Sequence, residues 1–278
     1  MKLLKTLRKL LDQEAYEALV RMAKGQEGKT ANGLIGLLTD PNETVKWRAV
    51  KALGQVTAQM FSENPEGVRR VIRQLIWNLN DESGGIGWGM PEALGEILAV
   101  IPALREEYTG LLAAYIVEKG CLLENEQLQK GVIWGLGRVK LLNQALKDKI
   151  IPFLRQALKN SDPSMRGTTI WSLGELGDLE TVPLLKTLQK ETPMVKLFID
   201  NDFQEKPLGE WAEEAVKKIK TGGVTMAENE WKCSNCGYTL KTEAPPDQCP
   251  SCKQKCEFLN ITCYIPECEA TGSDQRLK

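Results

Sequence analysis

Asp162-Pro163-Ser164-Met165-Arg166, running on through Trp171-Ser172-Leu173-Gly174-Glu175-Leu176-Gly177-Asp178 to Val182-Pro183-Leu184-Leu185, is the stretch that decides the fold of this chain. Asp-Pro suits a turn and the first helical position, because proline presets φ and its missing N–H is no loss there. The Leu173-Gly174 pair recurs as Leu53-Gly54, Leu94-Gly95 and Leu136-Gly137, at steps of 41, 42 and 37 residues. Around each pair the apolar residues fall at helical spacing, as in Val45, Ala49, Leu53 and Val56. A second amphipathic segment, such as Val71, Ile72, Leu75, Ile76 and Leu79, precedes the pair. Two helices per period, neither able to bury its stripe alone, predict a stacked α-solenoid with glycine where helices approach most closely.

Asp40-Pro41-Asn42-Glu43-Thr44-Val45-Lys46, leading to Ala52-Leu53-Gly54, is a second copy of the opening stretch. On these two copies the chain resembles HEAT repeats over about residues 28–220, particularly the short bacterial type first associated with phycobilisome lyases. The two middle copies depart from the pattern: the Asp-Pro turn is absent before Leu136, and a glycine cluster replaces it before Leu94. Val195-Lys196-Leu197-Phe198-Ile199 and Phe203-Gln204-Glu205-Lys206, on either side of Asp200-Asn201-Asp202, predict a β-hairpin near 195–206. A final helix follows from Pro207 to near Lys220, and the glycine-bearing segment after it reads as a linker. The expected plan is mainly α: a HEAT-like solenoid over 1–220, a linker over 221–229, a small metal domain over 230–262 and a tail over 263–278.

The metal domain rests on Cys233-x2-Cys236, twelve residues, then Cys249-x2-Cys252, two knuckles that present four thiolates to one ion. With Trp231, Gly237-Tyr238, Pro245, Cys249-Pro250-Ser251-Cys252 and Phe258, residues 230–260 resemble the rubredoxin-like domain of the rubrerythrin type. The resemblance implies one iron held by the four matching cysteines, one-electron transfer, and a miniature core of Trp231, Tyr238 and Phe258. Lys253 stands after the second knuckle where the first has Gly237. An all-cysteine set accepts iron or zinc, so a zinc ribbon stays open beside the rubredoxin-like site. Cys256, Cys263 and Cys268 are one sulfur short of a second closed site and are expected as free or redox-active thiols, while Cys121, among apolar residues, is expected to be buried.

Lys and Arg number 36 against 37 Asp and Glu, a net charge of -1, so no basic field points to nucleic acid. No stretch approaches the roughly 20 apolar residues of a membrane span, and the charge-interrupted N-terminus is unlike a signal peptide, so a cytoplasmic protein without membrane insertion is expected. There is no histidine, which removes Ser-His-Asp and Cys-His catalysis and the Glu-x-x-His motifs of the rubrerythrin di-iron bundle. Reduced cysteines at knuckle spacing suit a reducing compartment.

Two features of the repeat region are candidate partner-binding sites. Asp81, Glu82, Gly84, Gly85, Gly87, Trp88 and Glu92 form a glycine-rich turn that serves either packing or a backbone N–H cradle. Trp47, Trp88, Trp134 and Trp171 recur in register on second helices, either as a binding stripe or as packing between layers. The expected function is a non-catalytic or accessory redox protein whose solenoid docks a protein partner, a redox enzyme or complex. A zinc-ribbon adaptor and a tetrapyrrole lyase or chaperone are the alternatives.

Overall fold

In the computed structural model, residues 2–80, 87–117, 121–222, 229–242, 246 and 248–260 are described. The chain divides into two compact units, Met1–Ile219 and Lys220–Lys278.

The first unit is helical: α1 (Lys2–Asp12), α2 (Tyr16–Ala23), α3 (Glu27–Leu37), α4 (Glu43–Glu63), α5 (Pro65–Leu79), α6 (Met90–Val100), α7 (Arg105–Val117), α8 (Glu126–Val139), α9 (Gln144–Ala157), α10 (Pro163–Leu176), α11 (Val182–Thr187) and α12 (Leu208–Gly222). Helices α4, α6, α8 and α10 stack side by side as an inner layer, with α3 against α5 and α7 against α9 in an outer one. The repeating glycines sit at the inner contacts. A Cβ on Gly54 would lie 2.7 Å from Glu96 Cγ, one on Gly137 2.9 Å from Ser172 Cα, and one on Gly174 3.0 Å from Ala215 Cα. On Gly95 it would fall on Gly135 Cα. The solenoid expected from the Leu-Gly period is therefore the one that forms, with α12 continuing the inner layer at Ala215.

Helix starts follow side-chain capping. Asp162 caps α10 by accepting from Ser164 N at 2.8 Å, with Pro163 first in the helix as expected. The Asp40-Pro41 copy differs: α4 starts at Glu43, and Asn42 accepts from Thr44 N (2.9 Å), because Asp40 is committed to the turn through Asn42 N (2.9 Å). Asn125 plays the same part for α8, which explains how that copy dispenses with Asp-Pro. Helix α6 instead starts at Gly89, whose φ of 76° only glycine takes up freely and whose missing Cβ makes room for the Leu38 carbonyl.

The hairpin is β1 (Met194–Ile199) paired antiparallel with β2 (Asp202–Pro207), with Val195 opposite Lys206 and Phe198 opposite Phe203. Asp200 and Asn201 both take positive φ (52° and 73°), the conformation of a two-residue type I′ turn. Strand β1 packs on α10, where Gly167 leaves space for Val195.

The second unit contains a three-stranded antiparallel sheet in the order β4 (Thr239–Thr242), β3 (Asn229–Cys233), β5 (Phe258–Asn260). Trp231 lies opposite Leu240 on one side and Asn260 on the other. None of the described helices is long and apolar enough to cross a membrane.

Candidate metal centre and covered groove

Strand β3 ends on Cys233, and the chain turns back at once: Gly237 N donates to Cys233 O at 3.0 Å and Cys233 N to Tyr238 O at 2.8 Å. The second knuckle repeats this turn, with Lys253 N donating to Cys249 O at 2.9 Å and Cys249 N to Gln254 O at 3.0 Å. Gly237 has φ 73° and Lys253 φ 58°, so the lysine adopts the left-handed turn that glycine takes in the first knuckle.

These turns bring the sulfurs of Cys233, Cys236, Cys249 and Cys252 within 4.8 Å of one another, and Cys236 and Cys249 are 3.7 Å apart. Four sulfurs about 2.3 Å from one ion at tetrahedral angles are about 3.8 Å apart, so the set fits a single four-coordinate metal. Cys233 and Cys249 are buried, Cys252 is half-buried and Cys236 is exposed. The Cys236 backbone N–H is the main influence lowering the Cys233 thiol, to about 6, with the Cys256 thiol and the Asn235 N–H adding to it. Against the lowering by the Tyr238 N–H, burial and neighbouring sulfurs push Cys236 up to about 11. The cluster therefore takes up its full negative charge only as a cation binds and displaces the Cys236 proton.

Cys256 is the fifth sulfur, 3.1 Å from Cys233 Sγ and 3.3 Å from Gln254 O. Its hydrogen bond with Cys233 raises its thiol to about 12, so it stands as a protonated donor beside the four-sulfur set. Cys263 and Cys268 lie outside the described residues. Cys121 is exposed, contrary to the expectation of burial: α7 ends at Val117, so its neighbours Leu122 and Leu123 are not carried into a helical stripe, and Leu122 is itself exposed.

In the helical unit the hairpin lies over three of the four repeat tryptophans. Trp47 stacks on Phe198 of β1 (centroids 5.1 Å, 16° between planes), meets Trp134 edge-on at 4.8 Å, and Trp134 stacks on Trp171 at 5.9 Å. Trp134 Nε1 donates to Phe198 O at 2.9 Å, and Trp211 Nε1 of α12 donates to Val195 O at 3.1 Å. Trp47, Trp134 and Trp171 are accordingly buried, and their faces are occupied by packing. An open stripe of these three indoles is not what the chain builds, because the inserted strand satisfies both their apolar area and an indole N–H. Trp88 is half-buried in the turn after Gly87, while Asp81, Glu82, Gly84 and Gly85 lie outside the described residues.

Glu92, read as part of the turn, is instead a buried member of α6, with Oε1 3.4 Å from Lys46 Nζ. Further along the same groove Arg138 grips buried Glu96 through two nitrogens (2.6 and 3.3 Å), and Glu175 pairs with Lys140 at 2.6 Å and with Lys218. Nothing in the spacing singles out the lysines of this groove, since charges between apolar positions normally mark a solvated face. Trp77 is 74% exposed. It stands off the Val71, Ile72, Leu75, Leu79 stripe of α5, and that displacement was visible in the sequence.

Comparison with known proteins agrees with both units. Residues 121–196 match the model of HEAT repeats. Residues 231–259 match the rubrerythrin rubredoxin-like domain. No curated protein matches the chain. Solved structures similar to it include a designed armadillo repeat protein (16% identity, 78% of this chain and 99% of that chain, TM-score 0.38). Another designed armadillo repeat protein, in complex with the peptide (KR)4, aligns at 16% identity over 78% of this chain and 99% of that chain, with a TM-score of 0.36. The chain carries HEAT repeats followed by a C-terminal rubredoxin-like domain of the rubrerythrin type.

Proposed function

We propose that this is a non-catalytic or accessory redox protein, in which the helical repeat unit docks a protein partner and the four-cysteine module, holding one iron, passes single electrons to or from it. The observation that carries the reading is the set of four sulfurs within 4.8 Å on two matching turns, with Cys236 at the exposed side. Iron in such a set supplies a one-electron ferric–ferrous couple. The chain's own residues do the remaining work. Four thiolates hold the ion, the N–H groups of Asn235 and Cys236 favour negative charge on Cys233, and the Cys256 thiol adds a further donor there. Exposure of Cys236 gives a short path from sulfur to a docked partner. A partner that is a redox enzyme or complex in a reducing, cytoplasmic setting fits thiolate ligation and the lack of any histidine-based catalytic set.

The all-sulfur donor set also supports a second reading, a zinc-held ribbon in a structural adaptor. Visible absorption of the full chain purified anaerobically from its native source tests both. The expected result is a red ferric-thiolate spectrum that bleaches with dithionite and returns on oxidation. A colourless protein with one zinc per chain would replace electron transfer with the adaptor role.

A further inference from the structure

Cys256 follows the second knuckle and comes just before β5. The pairing of β5 with β3 sets Phe258 opposite Cys233, and Ser234 N donates to Glu257 O at 2.9 Å, so this short segment runs alongside the first knuckle. Cys256 Sγ is thereby brought to 3.1 Å from Cys233 Sγ, closer than the 3.7 Å between the ligand sulfurs of Cys236 and Cys249. Cys256 is not one of the four sulfurs that surround a common point, so an ion held tetrahedrally by that set leaves its thiol unligated.

The thiol has one proton and two acceptors. Gln254 O lies 3.3 Å away, and it already accepts from Cys249 N at 3.0 Å. Cys233 Sγ is nearer, and as a metal-bound thiolate it carries no proton, so the hydrogen between the two sulfurs belongs to Cys256. Rotation about the Cβ–Sγ bond moves that hydrogen from one acceptor to the other without moving a heavy atom. The pull toward Cys233 depends on the state of the iron. Four thiolates around ferric iron leave one net negative charge, and around ferrous iron two, so a donor at the cluster favours the reduced form. Cys233 is 1% exposed, so water neither competes with the thiol nor takes its place. The N–H groups of Asn235 and Cys236 serve the same sulfur but are fixed by the turn of the knuckle, whereas Cys256 comes from outside it.

We propose that Cys256 is a positioning residue for the electron-transfer site: its thiol turns from the Gln254 carbonyl to the Cys233 sulfur as the iron is reduced, and so holds the potential above the value that the backbone N–H groups alone would set. The electron passes to and from the iron, and Cys256 itself is neither oxidised nor deprotonated. The inference rests on the iron reading given above.

Redox titration followed by visible absorption, on the full chain loaded with iron under anaerobic conditions, compares the parent with Cys256→Ala and Cys256→Ser. Cys256→Ala should keep one iron per chain and lower the ferrous-to-ferric ratio at the parent's midpoint by about tenfold, which is about 59 mV for a one-electron couple. Its sulfur-to-iron charge-transfer band should also move to longer wavelength, because a sulfur that has lost a donor gives up charge more readily. Cys256→Ser keeps a donor and should recover most of both shifts, which a residue that merely fills space would not do. Equal potentials in all three proteins, or alanine and serine variants shifted alike, overturn the proposal. Loss of iron on either substitution also overturns it, since Cys256 would then be a ligand. The comparison is made on iron-loaded protein, so zinc in native material would sink the electron-transfer reading while the effect of Cys256 on the iron couple is still decided.

Discussion

Lys253 carries a cost that its counterpart Gly237 avoids. An L-residue in the left-handed region loses about 1–2 kcal/mol, while glycine gives back about 0.5–1 kcal/mol through its freer unfolded chain. Lys253→Gly should therefore stabilise the metal module by about 0.5–1 kcal/mol. Because folding and ligation are coupled in so small a unit, this reads as roughly two- to fivefold tighter metal binding in a chelator competition. Unchanged or weaker binding would show that the lysine side chain contributes something the turn does not reveal. Cys236 governs the pH dependence. With its thiol near 11 in the metal-free chain it is protonated at neutral pH, and ligation must expel that proton. Affinity for metal should rise with pH, by at least about tenfold per unit between pH 6 and 8. The same competition run across that range, together with proton release into a weak buffer, measures it. A flat profile would mean that Cys236 is not a ligand.

Within the helices, the repeat glycines show that one residue type does opposite things according to what lies beside it. Gly95 meets Gly135 backbone to backbone, so Gly95→Ala must push α6 and α8 apart. Overpacking of this kind costs about 1–3 kcal/mol, against about 1 kcal/mol of better helix propensity. A net loss of up to about 2 kcal/mol, seen as a lowered thermal midpoint of the helical transition, is expected. Gly110 in α7 faces open space, and Gly110→Ala should stabilise the helical unit by about 0.5–1 kcal/mol and so raise the midpoint. If both variants move the same way, the close approach at Gly95 has been misplaced. The hairpin makes a related point. A two-stranded ribbon alone is marginal, and here it is held by Phe198 against Trp47 and by indole N–H bonds from Trp134 and Trp211. Phe198→Ala should cost about 3–5 kcal/mol and shift tryptophan emission to the red as Trp47 meets water. A full-strength fold with unshifted emission would mean that the strand does not cover the indoles in solution.

For the whole molecule, two compact units imply two independent losses. Changing Cys233, Cys236, Cys249 or Cys252 to Ser should remove metal and unfold the C-terminal module while leaving the far-UV dichroism and thermal transition of the helical unit in place. Collapse of the helical signal in these variants would show that the units depend on each other. The docking proposed above falls to the helical unit, where Trp88 is half-buried and Trp77 is exposed. Trp77→Ala should leave stability within about 0.5 kcal/mol of the parent. Whichever of Trp77→Ala and Trp88→Ala cuts partner recovery from native extract marks the contact face, and undiminished recovery in both would place it elsewhere.

By itself the sequence determined the period of the helix pairs, the glycines at their contacts, the hairpin near 195–206, and the four-sulfur set. These features are legible because each follows from spacing along the chain: helical periodicity, turn chemistry and knuckle geometry act over a few residues. Where the hairpin lands was decided only in the tertiary structure, since Phe198 reaches Trp47 and Trp134 across far more chain than any local pattern spans. That landing turned a candidate binding stripe into core. It also left beside it a cavity whose buried Glu92 and half-buried Lys130, ordinary surface charges to any reading of the sequence, are drawn out of water by neighbours from other repeats. Cys256 is the same case on a smaller scale. It stands four residues past the second knuckle, and only the pairing of β5 with β3 sets its sulfur beside Cys233.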